Sequence, residues 1–127
     1  MDKLKVLLVD DEEEFVSALA ERLDIRGIAA HVATDGEQAL EMIETEAFQV
    51  IVLDVIMPGI SGLEVLQRIN AKQVETAVIL LTGHGSTKEG LEGMRMGAFD
   101  YLMKPLDIDE LISKMHEAVE STKAQRG

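Results

Sequence analysis

The 127-residue chain has no cysteine, and its only aromatics are three Phe and one Tyr. Without cysteine, disulfides and Cys-zinc sites are excluded, and a reducing compartment is allowed. With so few aromatics, aliphatic side chains and Met must fill the core. No stretch approaches the roughly 20 apolar residues of a membrane span. The N-terminal apolar run is far too short for a signal peptide, and acids end it. Bases are scarce as well: 12 Lys and Arg against 24 Asp and Glu leave a formal charge of −12. That balance argues against direct nucleic-acid binding, which needs a basic face, and disfavours an anionic membrane surface. Cations, or partners with basic patches, fit better. A cytoplasmic location is the default expectation.

What is present is an ordinary globular balance, 46% apolar and 28% charged, in a length that suits one domain with one core. Apolar runs alternate with helical patterns. Residues 4–9, 49–54 and 77–82 are continuous and aliphatic, as strands buried on both faces are. Residues 28–33 alternate more weakly around His31, and 99–103 are mixed, as in an edge strand. Between them, Phe15, Ala18, Leu19 and Leu23 share one helical face. Ala39, Leu40 and Ile43 share another, as do Leu63, Leu66 and Ile69, and Ile108, Leu111, Ile112, Met115 and Val119. Asp35 and Gln38, Ser61 and Glu64, Ser86 and Glu89, and Asp107 and Glu110 have capping-box spacing. Gly27 and Gly97 stand where helices would stop. Five strands alternating with five helices predict a parallel sheet covered on both faces. One domain is expected over 1–122, with 123–127 a frayed tail or the start of a linker.

Ligands of an open parallel sheet bind beyond the carboxyl ends of its strands, where strand order reverses. The first strand ends in Asp10-Asp11, the third in Asp54, and the fourth in Thr82-Gly83; Lys104-Pro105 follows the fifth. If strands one and three are neighbours, Asp10, Asp11 and Asp54 converge. Two such charges about 4 Å apart repel by roughly 4 kcal/mol at an effective dielectric near 20. A hard divalent cation with oxygen ligands neutralises them, and Lys104 offsets part of the charge from the other side. Taken alone, Asp10 and Asp11 read equally as acids that open a helix. Asp54 tips the balance, because an acid closing the apolar run 50–53 is costly to desolvate without a partner. Glu12, Glu13 and Glu14 are expected in the first helical turn, where the macrodipole favours acids.

The segments "LLVDDE", "VLDVIMPGISG", "LLTGHG" and "FDYLMKPLD", in this order and at these spacings, resemble the receiver domain of two-component response regulators. The match runs from about Lys3 to Val119. The resemblance implies a doubly wound five-stranded parallel sheet of order 2-1-3-4-5, a flavodoxin-like (βα)5 fold. It implies that Asp54 accepts a phosphoryl group from a phosphohistidine on a sensor histidine kinase or phosphotransfer protein. Asp10, Asp11, Asp54 and the backbone carbonyl of Ile56 would hold Mg2+ (or Mn2+). Thr82 and Lys104 would contact phosphoryl oxygens, with room and a backbone N–H at Gly83. Thr82 and Tyr101 would relay the change to a face made by the fourth helix, fifth strand and fifth helix, which would meet an output domain or partner protein, or a second copy in a phosphorylation-dependent homodimer. The chain would be a signalling phosphoacceptor, catalysing only its own Mg2+-dependent phosphotransfer and slow autodephosphorylation. The resemblance also implies a cis Lys104–Pro105 bond.

The chain departs from the usual pattern at Ile60-Ser61, where Met-Asp is common. Ile56 is apolar and His84 follows Thr82 by two residues, positions that affect phosphoryl lifetime in the family. Two other readings fit the residues less well. A haloacid-dehalogenase-like phosphatase wants a second Asp two residues after the first, and Ile56 stands there. An interaction module that keeps the fold without being phosphorylated conflicts with the complete acid, Thr and Lys set. In the fourth helix, Gly90 and Gly93 each cost about 1 kcal/mol relative to Ala. They serve either close helix–sheet packing or a deliberately marginal helix, and the resemblance favours the second. His31, His116, Met94 and Met96 read as surface or packing residues. A stand-alone receiver and the N-terminal part of a longer regulator both fit the chain.

Overall fold

The computed structural model of the chain describes residues 3–72, 75–83 and 87–126. Its elements run β1 (Lys5–Val9), α1 (Glu13–Ile25), β2 (Ala29–Ala33), α2 (Gly36–Thr45), β3 (Val50–Asp54), α3 (Gly62–Lys72), β4 (Ala77–Thr82), α4 (Thr87–Arg95), β5 (Asp100–Met103) and α5 (Ile108–Arg126). All strand pairings are parallel, in the order β2-β1-β3-β4-β5. The aliphatic, β-branched runs of β1, β3 and β4 become the three central strands because only a strand covered on both faces can bury every side chain. β3 and β4 are buried along their whole length. The weaker runs, β2 and β5, take the edges, and His31 lies half-buried on β2, edge-on to the Phe48 ring.

Strand parity splits the core into two layers. Val6, Leu8, Val50, Val52, Ile79 and Leu81 face α1 and α5, against Val16, Leu19, Leu23, Leu111 and Met115. Leu7, Val9, Ile51, Leu53, Val78 and Leu80 face the other side, against Ala39, Ile43, Val65, Leu66 and Ile69. Met94 and Met96 pack against this second layer, as expected of residues that fill gaps. Ala18 departs from the expected stripe: α1 buries Val16 and Ala20 and leaves Ala18 exposed.

The caps explain where the helices begin. Asp35 accepts from the Gln38 N–H at 2.8 Å, and Ser61 accepts from the Glu64 N–H at 3.2 Å. Asp107 accepts from Asp109 and Glu110. The reciprocal arm of the first box is displaced, since the Gln38 side chain accepts from the Thr34 N–H instead of the Asp35 N–H. Ser86, and with it one expected cap, lies outside the described residues, as does His84. Gly27 and Gly97 follow α1 and α4 with φ of 83° and 102°. Lys104–Pro105 is cis. A frayed tail or the start of a linker is expected from residue 123, and α5 stays helical to Arg126. The Thr122 hydroxyl donates to the Ala118 carbonyl at 3.1 Å, and Lys123 pairs with Glu120. Lys, Ala, Gln and Arg are also good helix formers.

Gly90 and Gly93 are both buried on the sheet side of α4. A Cβ at Gly90 would stand 2.8 Å from Thr82 Cγ2 and 3.3 Å from the Tyr101 ring. One at Gly93 would overlap Leu80 Cδ1. Close approach of helix to sheet therefore accounts for both glycines without a marginal helix.

Candidate phosphoacceptor site

Asp10, Glu12, Asp54 and Lys104 meet at the carboxyl ends of β1, β3 and β5. The β1–β3 junction is where strand order reverses. Backbone hydrogen bonds fix the frame: Asp10 N–H donates to Ala33 O, Val55 N–H to Leu81 O, and Lys104 N–H to Thr82 O at 2.9 Å. The α3 N-terminus comes very close to the end of β3, and Gly62 N–H donates to Val55 O at 3.1 Å. A Cβ at Gly62 would collide with the Asp54 backbone oxygen and stand 2.7 Å from Val55 Cα. Only glycine fits there.

The side chains carry strong local charge. Asp10 and Asp54 are buried, at 1% and 7% exposure. Oxygens of Asp10, Glu12 and Asp54 lie within 4.8 Å of one another, the one group of three acids this close among the described residues. Lys104 Nζ stands 2.7 Å from Asp10 Oδ2, 2.6 Å from Glu12 Oε1 and 3.5 Å from Asp54 Oδ2. It also sits 4.7 Å from the centre of the Phe15 ring. Asp10 Oδ1 accepts from the Glu12 N–H, and Asp54 Oδ1 accepts from the Ile56 N–H at 3.1 Å. Asp10 Oδ2 is buried without a well-angled hydrogen bond, despite its close contact with the ammonium. The charge on that buried oxygen is met by the ammonium.

Burial raises the Asp54 carboxyl from the usual 3.8 to about 6. The Ile56 N–H and the Lys104 charge pull it down, while Asp10 pushes it up. Burial acts to lower the Lys104 ammonium, but contacts with Asp10 and Glu12 and the charges of Asp54 and Asp10 outweigh it, so the group is held raised and charged.

Of the residues singled out from sequence, the structure brings Asp10, Asp54 and Lys104 together. Asp11 is exposed and stands outside the group of three acids. Glu12, expected in the first helical turn, is instead the N-cap position of α1 and turns its carboxylate to Lys104. Thr82 is fully buried on the other side of the sheet end, its hydroxyl 3.5 Å from the Leu102 carbonyl. Tyr101 is half-buried beside it, over Gly90. A Cβ at Gly83 would meet open space. Sequence reasoning missed Glu12, Phe15 and Gly62. The run of five acids hid the first, and the spacing of Phe15 marked it only as a core residue.

This fold is that of a receiver domain. The family model for the response regulator receiver domain matches residues 6–116, and the chain belongs to that family. The curated relatives include transcriptional regulatory proteins and response regulators. The transcriptional regulatory protein CpxR of Klebsiella pneumoniae is 40% identical over 111 residues, covering 87% of this chain and 47% of its own. The response regulator MprA of Mycobacterium avium is 34% identical over 122 residues, covering 96% and 54%. This chain thus spans about half the length of the curated relatives it matches. Among solved structures, a Francisella response regulator receiver domain matches with TM-score 0.86 and 36% identity over 94% of this chain and 99% of that one. NtrX of Brucella abortus, solved with ADP, matches with TM-score 0.91 and 31% identity over 98% and 29%. Among the described residues, no helix is long and apolar enough to cross a membrane.

Proposed function

We propose that the chain is a phosphorylation-activated switch in which Asp54 accepts a phosphoryl group from a histidine kinase or phosphotransfer protein. The observation that carries this reading is the pairing of a buried carboxylate at the end of β3 with Lys104, beside a second buried acid, Asp10, whose Oδ2 stands 2.7 Å from the same ammonium. The donor set fits Mg2+, a hard cation that takes carboxylate, carbonyl and water oxygens. Asp10, Asp54 and the Ile56 carbonyl would hold it, with Asp11 through the lip of the site. When bound, it would supply neutralisation of charge on the transferring group and alignment with Asp54.

This chain's residues do the rest. Asp54 attacks phosphorus with one carboxylate oxygen, and the donor's histidine nitrogen leaves, giving an acyl phosphate. Lys104 moves from its acidic neighbours to a phosphoryl oxygen. Open space at Gly83 accommodates the group. The Thr82 hydroxyl leaves the Leu102 carbonyl for the phosphoryl group, and Tyr101 follows it inward over Gly90. That rearrangement reaches α4, β5 and α5, where an output domain or a second copy would read it. Leu91 and Met103 expose half their surface there. The acyl phosphate is labile, so the state decays. The receiver unit is residues 1–122, and its setting is the cytoplasm, where kinase donors act. As curated relatives about twice as long include transcriptional regulatory proteins, the output proposed for the signal is transcriptional.

Incubation with acetyl phosphate and Mg2+ should retard the chain on a phosphate-affinity gel, and the shift should vanish in Asp54→Ala. An unshifted wild-type chain would favour an unphosphorylated interaction module instead.

A further inference from the structure

Resting on that phosphoacceptor reading, we propose that Glu12 is a positioning residue that holds Lys104 back from the acceptor, competing with the group on Asp54 for the ammonium. Lys104 Nζ is 2.6 Å from Glu12 Oε1 but 3.5 Å from Asp54 Oδ2. The hold comes from the α1 side, since Phe15 also places its ring under the ammonium.

Glu12 is built for this contact rather than for capping. It occupies the N-cap position with φ −82° and ψ 87°, yet its side chain makes no cap hydrogen bond. Its N–H donates to Asp10 Oδ1 at 2.9 Å, and its carbonyl accepts from Val16 N–H at 3.0 Å. The backbone is thus fixed at both ends while the carboxylate is free to face Lys104. The side chain is 62% exposed, whereas that of Asp10 is 1% exposed. Glu12 can therefore release the ammonium into water at little cost, and Asp10 cannot.

For Lys104 to pair with a phosphoryl oxygen, it must give up this contact. Exposed ion pairs of this kind are modest, so releasing it should speed phosphoryl acceptance about twofold to fivefold. Glu12→Gln removes the charge, and Glu12→Asp keeps the charge but withdraws it by one methylene. Glu13→Gln makes the same charge change one residue on, at an exposed position in the first turn of α1, and serves as the control for simple repulsion of an anionic donor.

The test measures initial rates of phosphorylation by acetyl phosphate, and the Mg2+ concentration giving half the maximal rate, for the wild type and all three variants. Glu12→Gln and Glu12→Asp should both be faster, Glu13→Gln should match the wild type, and the half-saturating Mg2+ should stay within about twofold. Rates of both Glu12 variants equal to those of Glu13→Gln would overturn the proposal. So would an about tenfold rise in half-saturating Mg2+ for Glu12→Gln, the size expected of a lost metal-site interaction, because Glu12 would then belong to the cation site. A wild-type chain that takes no phosphoryl group at all overturns the phosphoacceptor reading itself, a result distinct from phosphorylation at unchanged rates.

Discussion

Replacing Asp54 by Asn should stabilise the metal-free domain at neutral pH and leave it nearly unchanged in acid. Asn keeps the shape and can still accept from the Ile56 N–H, but removes a charge that burial disfavours. The folded Asp54 titrates at about 6 against an ordinary value of 3.8. Between those values the folded chain keeps a proton that the unfolded chain has lost. The folded state binds more protons, so this group's contribution to stability falls as pH rises. Below about pH 4 both states are protonated and the group costs nothing. Above about pH 7 the full cost is present, about 3 kcal/mol at 1.36 kcal/mol per tenfold. The mouth of the site is open to solvent, so screening brings the expected figure to about 2 kcal/mol. For a domain of this size that is a rise in Tm of about 5–10 °C. The assay is thermal or urea unfolding of both proteins in chelator, at steps across the acid-to-neutral range. The difference between them should open through about pH 4–6 and then level off. A difference that is constant with pH, or one in which Asn destabilises at neutral pH, would refute the reasoning.

Other expectations follow from the same contacts. Gly62→Ala should cost about 3 kcal/mol or more in urea unfolding, because the atoms in its way are backbone and cannot step aside. Gly90→Ala should lose less, about 1–2 kcal/mol, since overpacking against Thr82 is partly offset by better helix propensity. Lys104→Met should destabilise by about 1–3 kcal/mol at neutral pH by leaving Asp10 without its cation, and added Mg2+ should restore part of the loss in a thermal scan. A Lys104→Met chain as stable as the wild type in chelator would show that the ammonium is not neutralising the acids.

The sheet was legible because its signal is coarse. Runs such as Val50–Leu53 and Ala77–Leu81 have no polar residue to spare for solvent, so they can only be central strands. Asp54 was legible for the same reason, as a carboxylate at the end of a run with nowhere wet to go. Parity also carried information that sequence reasoning left unused. Asp10, Asp54 and Lys104 continue the strand face that meets α1 and α5, while Thr82 and Tyr101 continue the opposite face. The acids and ammonium are thereby separated from the pair expected to relay the signal. What could not be read was whether Asp11 or Glu12 joins Asp10 at the site. One residue of offset at the start of α1 decides it, and the Asp10 bond to the Glu12 N–H sets that offset. The helical glycines left close packing and a marginal helix both open, because propensity sees the cost of Gly90 and Gly93 but not the Thr82 methyl and Leu80 side chain beneath them. The apolar stripe of α5 stops before its helical structure does.

The most direct test is intact-mass and peptide-level mass spectrometry after acetyl phosphate treatment, with Mg2+ and with chelator. The account predicts one added phosphoryl group, on Asp54, only when Mg2+ is present, and none in Asp54→Ala. Modification elsewhere, undiminished labelling of Asp54→Ala, or full labelling in chelator would contradict it.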